Sequence, residues 1–290
     1  MSLPPTRRLL AAATAAAALV LSIPACTTAP APDSAPTTGN SNTLPSAHVH
    51  GLSVNTETDQ VLLATHEGLF DVTRKPAVKI GPTNDLMGFT PAKEQGVFYA
   101  SGHPGKDSSL PEPMGLIKTS DGGKTWEQLS RQGESDFHAL TTTRSGIVAF
   151  DGVLRTSADG RTWKTATVDF TPAVLAGNPL SDTVLATTRG GVQRSTDGGI
   201  TWALQSAAPV IQFAAFANEV EAVGVEPDGA IQYSADGGVT WAARGQLEGQ
   251  VMAIAATSGS EGKPWIWAAT SEGLLVSTDG GTTFRPSDAV

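Results

Sequence analysis

The chain is poor in cysteine, in aromatic rings and in charge. Cys26 is the only cysteine among 290 residues, so no disulfide can form within the chain and a disulfide-stapled scaffold is excluded. Tyrosine occurs only as Tyr99 and Tyr233, which leaves few phenols for chemistry. No segment carries the 3.6-residue apolar repeat of an amphipathic helix, so a helical bundle has no support. The apolar run Leu9–Ile23 is too short and too rich in alanine to make a stable membrane span. Basic residues are scarce as well, 19 against 28 acidic, for a net charge of −9. An acidic surface repels phosphate backbones and anionic lipid, so nucleic acid is not an expected partner.

What is present at the N-terminus is a targeting pattern. Arg7 and Arg8 precede the apolar run, which ends in Ile23-Pro24-Ala25-Cys26. Small residues before a cysteine let the peptide lie extended in a peptidase groove. The pattern resembles a bacterial lipobox, which implies cleavage of a signal peptide (residues 1–25) and diacylation of the Cys26 sulfur. Thr6-Arg7-Arg8-Leu9-Leu10 also loosely resembles a twin-arginine signal. Residues 26–46 are rich in Pro, Ala, Thr, Ser and Asn; such a segment cannot bury enough surface to offset ordering and reads as a flexible tether. The expected product is lipid-anchored on the extracytoplasmic face of the cell membrane. Without residues 1–25 the chain keeps 17 basic and 28 acidic residues, a net charge of −11.

Residues 47–290 are organised by a repeat. Thr119–Trp126 (TSDGGKTW) recurs as Ser195–Trp202, Ser234–Trp241 and Ser277–Phe284, with a degenerate copy at Thr156–Trp163. Counted back from its tryptophan, that copy has Ala158 where the aspartate belongs and Asp159 one place late. The closing aromatics are 37, 39, 39 and 43 residues apart. A near-constant period of this length is the mark of a repeat architecture. The segment resembles the Asp-box, or BNR, repeat. Asp121, Asp197, Asp236 and Asp279 are expected to accept backbone N–H bonds inside a hairpin turn, with the glycines supplying positive φ. A short apolar strand precedes each box, and an unboxed sixth unit fits the frame at Gly68-Leu69-Phe70. Four short strands per unit and six units predict an all-β, six-bladed β-propeller of four-stranded antiparallel blades. The boxes are evidence for this fold and not for catalysis.

Let strands A to D run outward from the axis in each blade. All five histidines then fall on the face opposite the boxes. His48 and His50 open strand A of blade 1, His66 ends its strand B, His103 ends strand B of blade 2, and His138 opens strand A of blade 3. Residues two apart on a strand share a face, about 7 Å between Cα atoms, so the imidazoles of His48 and His50 can converge on one ion. Neutral imidazole suits zinc, copper or nickel, and the thioether of Met87 favours copper. Glu67, Asp85 and Asp136 are acids placed to ligate an ion or orient a ring. Copper or zinc is therefore the expected cofactor. Set against this, rings at a propeller mouth can simply bond loop backbones, and Met87 alone can be core packing.

Beyond the boxes, HVHGL (His48–Leu52), ATHEGLF (Ala64–Phe70), DLMGF (Asp85–Phe89), YASGHPG (Tyr99–Gly105) and DFHAL (Asp136–Leu140) resemble bacterial lipoproteins filed as sialidase-like glycosyl hydrolases. The resemblance implies hydrolysis of an extracellular glycan. A sialidase needs an arginine cluster, a tyrosine nucleophile with a glutamate partner and an aspartate acid. The Arg-Ile-Pro segment of that family is missing, Tyr99 and Tyr233 fall mid-blade, and Arg131, Arg189 and Arg244 are expected on mouth-side loops. Other glycosidases need two carboxylates across a cleft, for which the B–C turns offer Glu67, Asp151, Glu226, Asp228 and Glu272. Asp-box propellers also resemble the photosystem assembly factor and the sortilin ectodomain, which implies a protein-docking scaffold. A ligand- or metal-binding surface lipoprotein ranks first among these, a glycosidase second and a scaffold third; the occupant of the mouth is a small ligand, a glycan or a protein.

Overall fold

In the computed structural model of the protein, residues 44–45 and 48–289 are described. The signal peptide, Cys26 and most of the expected tether lie outside them. Blade 1 comprises β1 (Val49–Asn55), β2 (Gln60–Thr65), β3 (Gly68–Asp71) and β4 (Val78–Ile80). Blade 2 comprises β5 (Asp85–Pro91), β6 (Phe98–His103), β7 (Leu116–Thr119) and β8 (Glu127–Ser130). Blade 3 follows with β9 (Ala139–Thr143), β10 (Gly146–Phe150), β11 (Leu154–Ser157) and β12 (Lys164–Thr165), and blade 4 with β13 (Val174–Gly177), β14 (Val184–Thr188), β15 (Gly191–Ser195) and β16 (Ala203–Leu204). Blade 5 comprises β17 (Phe213–Phe216), β18 (Ala222–Val225), β19 (Ala230–Ser234) and β20 (Ala242–Gln246); blade 6 comprises β21 (Val251–Thr257), β22 (Trp265–Thr270), β23 (Gly273–Ser277) and β24 (Arg285–Pro286).

Each blade is an antiparallel sheet whose four strands pair in sequence order. The inner strands touch in a closed ring, β1 to β5, β9, β13, β17, β21 and back to β1. The molecule is therefore the expected six-bladed propeller. Strand burial follows from position: β2, β14 and β18 sit between two strands of their sheets and are almost wholly buried, as is β9 on the inner ring, while the outer β12 and β16 are exposed.

The box turns form as the motif requires. In the third box, Thr201 and Ile200 donate their N–H groups to Asp197 Oδ1 and the Thr201 hydroxyl donates to Oδ2. Buried Ser195 donates to the same carboxylate and accepts the N–H of Gly199 at 2.9 Å. Gly199 has φ 87° and a Cβ there would stand 2.8 Å from Val148 of the preceding blade. That glycine serves both the turn and a close approach between blades.

The degenerate box departs from expectation. Aligned from Ser157, its aspartate is in place and one glycine is missing. Asp159 Oδ1 accepts the N–H groups of Arg161 and Thr162 at 2.8 and 2.7 Å, and Ser157 donates to it at 3.1 Å. Gly160 takes the second glycine's role, with φ 68° and Leu116 of the preceding blade against it. Asp159 is not displaced; the turn is one residue shorter.

The core is divided into six apolar clusters, one at each seam between adjacent blades. Trp126, Trp163, Trp202, Trp241 and Phe284, the closing aromatics of the boxes, pack respectively on the seams between blades 1 and 2, 2 and 3, 3 and 4, 4 and 5, and 5 and 6. Each aromatic thus staples its blade to the one before. Blade 1 has no box, so the seam that closes the ring has no box aromatic. There, Trp267 and Trp265 of β22 pack with Val49, Leu52 and Leu63 of blade 1. Among the described residues the four strands of each blade are consecutive in the chain, and the closing seam also carries an exposed Lys75–Asp288 ion pair. Leu44, expected in the tether, also packs on this seam.

Candidate functional site

Strands A and C run away from the mouth and strands B and D toward it. The turns that carry the histidines and the turns that carry the boxes therefore lie on opposite faces. At the mouth of blade 1, His48 precedes β1, His50 is its second residue and His66 follows β2. His66 N–H donates to the carbonyl of His48 at 3.2 Å, which closes the end of the β1–β2 ladder and brings the three rings together. Ring centroids are 5.2 Å apart for His48 and His50, 5.4 Å for His48 and His66, and 4.5 Å for His50 and His66. One nitrogen from each ring lies within 4.8 Å of one from each of the others.

The closest pair is the most telling. Nε2 of His50 stands 3.3 Å from Nε2 of His66. Two ligands each 2.0–2.1 Å from a tetrahedral ion stand about 3.3–3.4 Å apart. Asp85, at the start of β5 in blade 2, bonds His66 Nδ1 at 2.6 Å through Oδ2. A carboxylate only accepts, so Nδ1 carries a proton and Nε2 is the nitrogen left to ligate an ion. That is the carboxylate–histidine arrangement that orients metal ligands. The other oxygen, Asp85 Oδ1, is buried without a hydrogen-bond partner and faces His50 Nε2 at 3.9 Å. Burial first, then the nearby His66, depresses His50 to a pKa of about 4. Its ring is therefore uncharged at neutral pH and available to donate a lone pair.

The other two histidines form a separate group. Asp136 Oδ2 accepts from His138 Nε2 at 2.6 Å and lies 3.2 Å from His103 Nε2. His103 Nδ1 bonds Glu112 at 2.5 Å, and that bond, with Asp136 adding to it, raises its pKa. Both nitrogens of His103 thus face carboxylates, and it is built as an ion-pair partner. The structure brings His48, His50 and His66 to one point and holds His103 and His138 on Asp136 beside it. Asp136 Oδ1 is likewise buried without a hydrogen-bond partner. Glu67 lies on the exposed β2–β3 turn, where its N–H donates to the Thr65 hydroxyl oxygen. Met87 lines the central channel with His50 and His138.

Asp151, Glu226 and Asp228, three of the carboxylates weighed for glycosidase chemistry, are hydrogen-bonded to neighbouring groups. Asp151 is bonded by Arg155 and Ser135 and lies 3.8 Å from Arg131. Glu226 accepts from Gln232, and Asp228 caps the N–H of Ala230. Arg244 is not on a mouth loop: it is in β20 with its guanidinium over the Tyr233 ring. Tyr233 donates to Glu221 near the box face, far from the histidines in the topology. Burial and that carboxylate raise its pKa to about 12, the reverse of an activated nucleophile. Sequence reading missed Glu112, whose loop position carries no periodic signal.

Fold and repeats together define an Asp-box β-propeller. The BNR/Asp-box repeat family matches residues 193–204. No curated protein matches the chain. Among solved structures, the chain is similar to the GH74 enzyme of Niastella koreensis at 16% identity and a TM-score of 0.55, covering 82% of this chain and 37% of that one. The GH74 xyloglucanase of Xanthomonas campestris gives 16% identity and a TM-score of 0.58, with 82% and 38% covered. The Cps50 (Swd1) β-propeller domain of Myceliophteria thermophila gives 12% and 0.52, with 84% and 86% covered. The chain thus spans well under half the length of the GH74 proteins. At these identities the likeness is one of fold alone.

Proposed function

We propose that the protein is a lipid-anchored, extracytoplasmic propeller that binds a transition-metal ion through His48, His50 and His66, with Asp85 orienting His66. The observation that carries the reading is the 3.3 Å approach of two imidazole nitrogens, one of them on a ring whose other nitrogen bonds a carboxylate. Zinc and copper both accept this donor set. Protein purified without a histidine tag should contain about one equivalent of metal, and His50→Ala protein should contain none. Metal-free wild-type protein that takes up no added zinc or copper would reject the reading.

Anchoring rests on the Cys26 pattern. Cys26→Ser should move the protein from the membrane fraction to the medium with its melting temperature unchanged. A variant that stays fully membrane-bound on fractionation contradicts the anchor. Glycan hydrolysis is the second reading and draws on the likeness in fold to GH74 propellers; among the described residues no observation singles out a pair from Glu67, Asp151, Glu226, Asp228 and Glu272.

A further inference from the structure

Three of the six inner strands carry a one-residue irregularity at the same place, and the other three do not. In β1, Val49 faces Thr65 and Gly51 faces Ala64, which leaves His50 as the extra residue. In β5, Leu86 faces Gly102 and Gly88 faces Ser101, which leaves Met87. In β21, Val251 faces Thr270 and Ala253 faces Ala269, which leaves Met252. The ladders of β9, β13 and β17 run without a shift. The bulged blades 6, 1 and 2 are consecutive, and β1 touches both β5 and β21. His50 therefore stands between two methionines at equivalent heights.

A bulge re-aims the side chain of its extra residue and is common beside functional sites. Here His50, Met87 and Met252 all line the central channel, and each is half-buried. The blade 2 bulge is made sterically by two glycines. Gly102 has φ 140°, and a Cβ there would lie 2.1 Å from the Asp85 carbonyl and 2.9 Å from Met87 N. A Cβ at Gly88 would lie 2.2 Å from the Phe137 carbonyl. The chain is shaped at this point to turn Met87 inward, where it packs with none of the seam clusters described; Met252 touches only the closing seam.

Thioethers are soft donors that select Cu(I), whereas imidazole serves zinc and copper alike. We infer that Met87 and Met252 are thioether ligands flanking His50, which makes the channel mouth a Cu(I) site. This deepens the histidine-site reading and rests on it. Zinc would use the three histidines and ignore the sulfurs; Cu(I) would use both. The two ions thus separate the two claims.

The test titrates metal-free protein, under ascorbate and without oxygen, against a chromophoric Cu(I) chelator, with Zn²⁺ titrated separately. Loss of a ligand's outer partner already costs about 10–100-fold in affinity, so Met87→Leu with Met252→Leu should weaken Cu(I) by at least about 100-fold. Zn²⁺ affinity and the melting temperature in chelator should not change. Unchanged Cu(I) affinity in the double variant overturns the thioether assignment, and retained Zn²⁺ binding would then leave the histidine site standing. Wild-type protein that binds neither ion overturns both. Should the double variant not fold, X-ray absorption of Cu(I)-loaded wild-type protein decides: sulfur bound to copper supports the assignment, and nitrogen or oxygen alone overturns it.

Discussion

A single carboxylate holds each box turn, and its electrostatics follow from what it accepts. Asp236 takes the N–H groups of Val239 and Thr240 and the hydroxyls of Ser234 and Thr240. These bonds favour the charged form and lower its pKa from 3.8 to about 2; Asp121, Asp159 and Asp279 are lowered to the same value. Unfolded, these groups titrate near 3.8, so between pH 4 and pH 2 the unfolded chain binds more protons than the folded one. Their contribution is complete above about pH 4 and is lost as pH falls through 2. Thermal melts should drop steeply across that window, and less steeply in Asp236→Asn protein; parallel profiles would contradict the account. Because Asp159 makes the full set of turn bonds, Asp159→Ala and Asp236→Ala should lower the melting temperature equally. Ser234→Ala, which strips the buried Gly238 N–H of its acceptor, should cost about 1–3 kcal/mol.

At the scale of strands and blades, the sequence showed what is periodic. The repeat spacing located the third strand of every blade, because each box must follow it, and the unboxed Gly68-Leu69-Phe70 was recognisable from the same frame. Hydrogen-bond register was not legible. The bulges at His50, Met87 and Met252 depend on which partner residue each strand meets, and no local pattern records that. Arg244 would fall on a loop if β20 were as short as the two-residue β16 and ended at Ala243, but β20 runs three residues further, to Gln246. The blade-to-blade role of the box aromatics emerges only when seams are seen. From it follows a prediction for the one seam without such an aromatic. Trp267→Ala should cost about 3–5 kcal/mol in denaturant unfolding, since 9% of Trp267 is exposed and it packs at the closure. A loss below about 1 kcal/mol would show that closure does not depend on it.

For the molecule as a whole, the arrangement of blades decides what the mouth can do. His48 and His50 are expected as a pair because residues two apart on a regular strand share a face; in the structure His48 precedes β1 and His50 is its bulged residue, so the two rings meet at an irregular strand start instead. His66 joins them because β2 returns to the same edge, and Asp85 orients it because blade 2 begins beside blade 1. The partition of five histidines into a converging three and an ion-paired two was not readable, since Asp136 and Glu112 reach the second group through loops. The measurement that tests the central claim most directly is calorimetric titration of metal-free protein with Zn²⁺ at neutral pH. The account predicts one site tighter than roughly 10 µM, about −7 kcal/mol, abolished by the combined His48→Ala and His50→Ala change and untouched by Ala at Glu226. Heats no larger than dilution in the wild-type protein would contradict it.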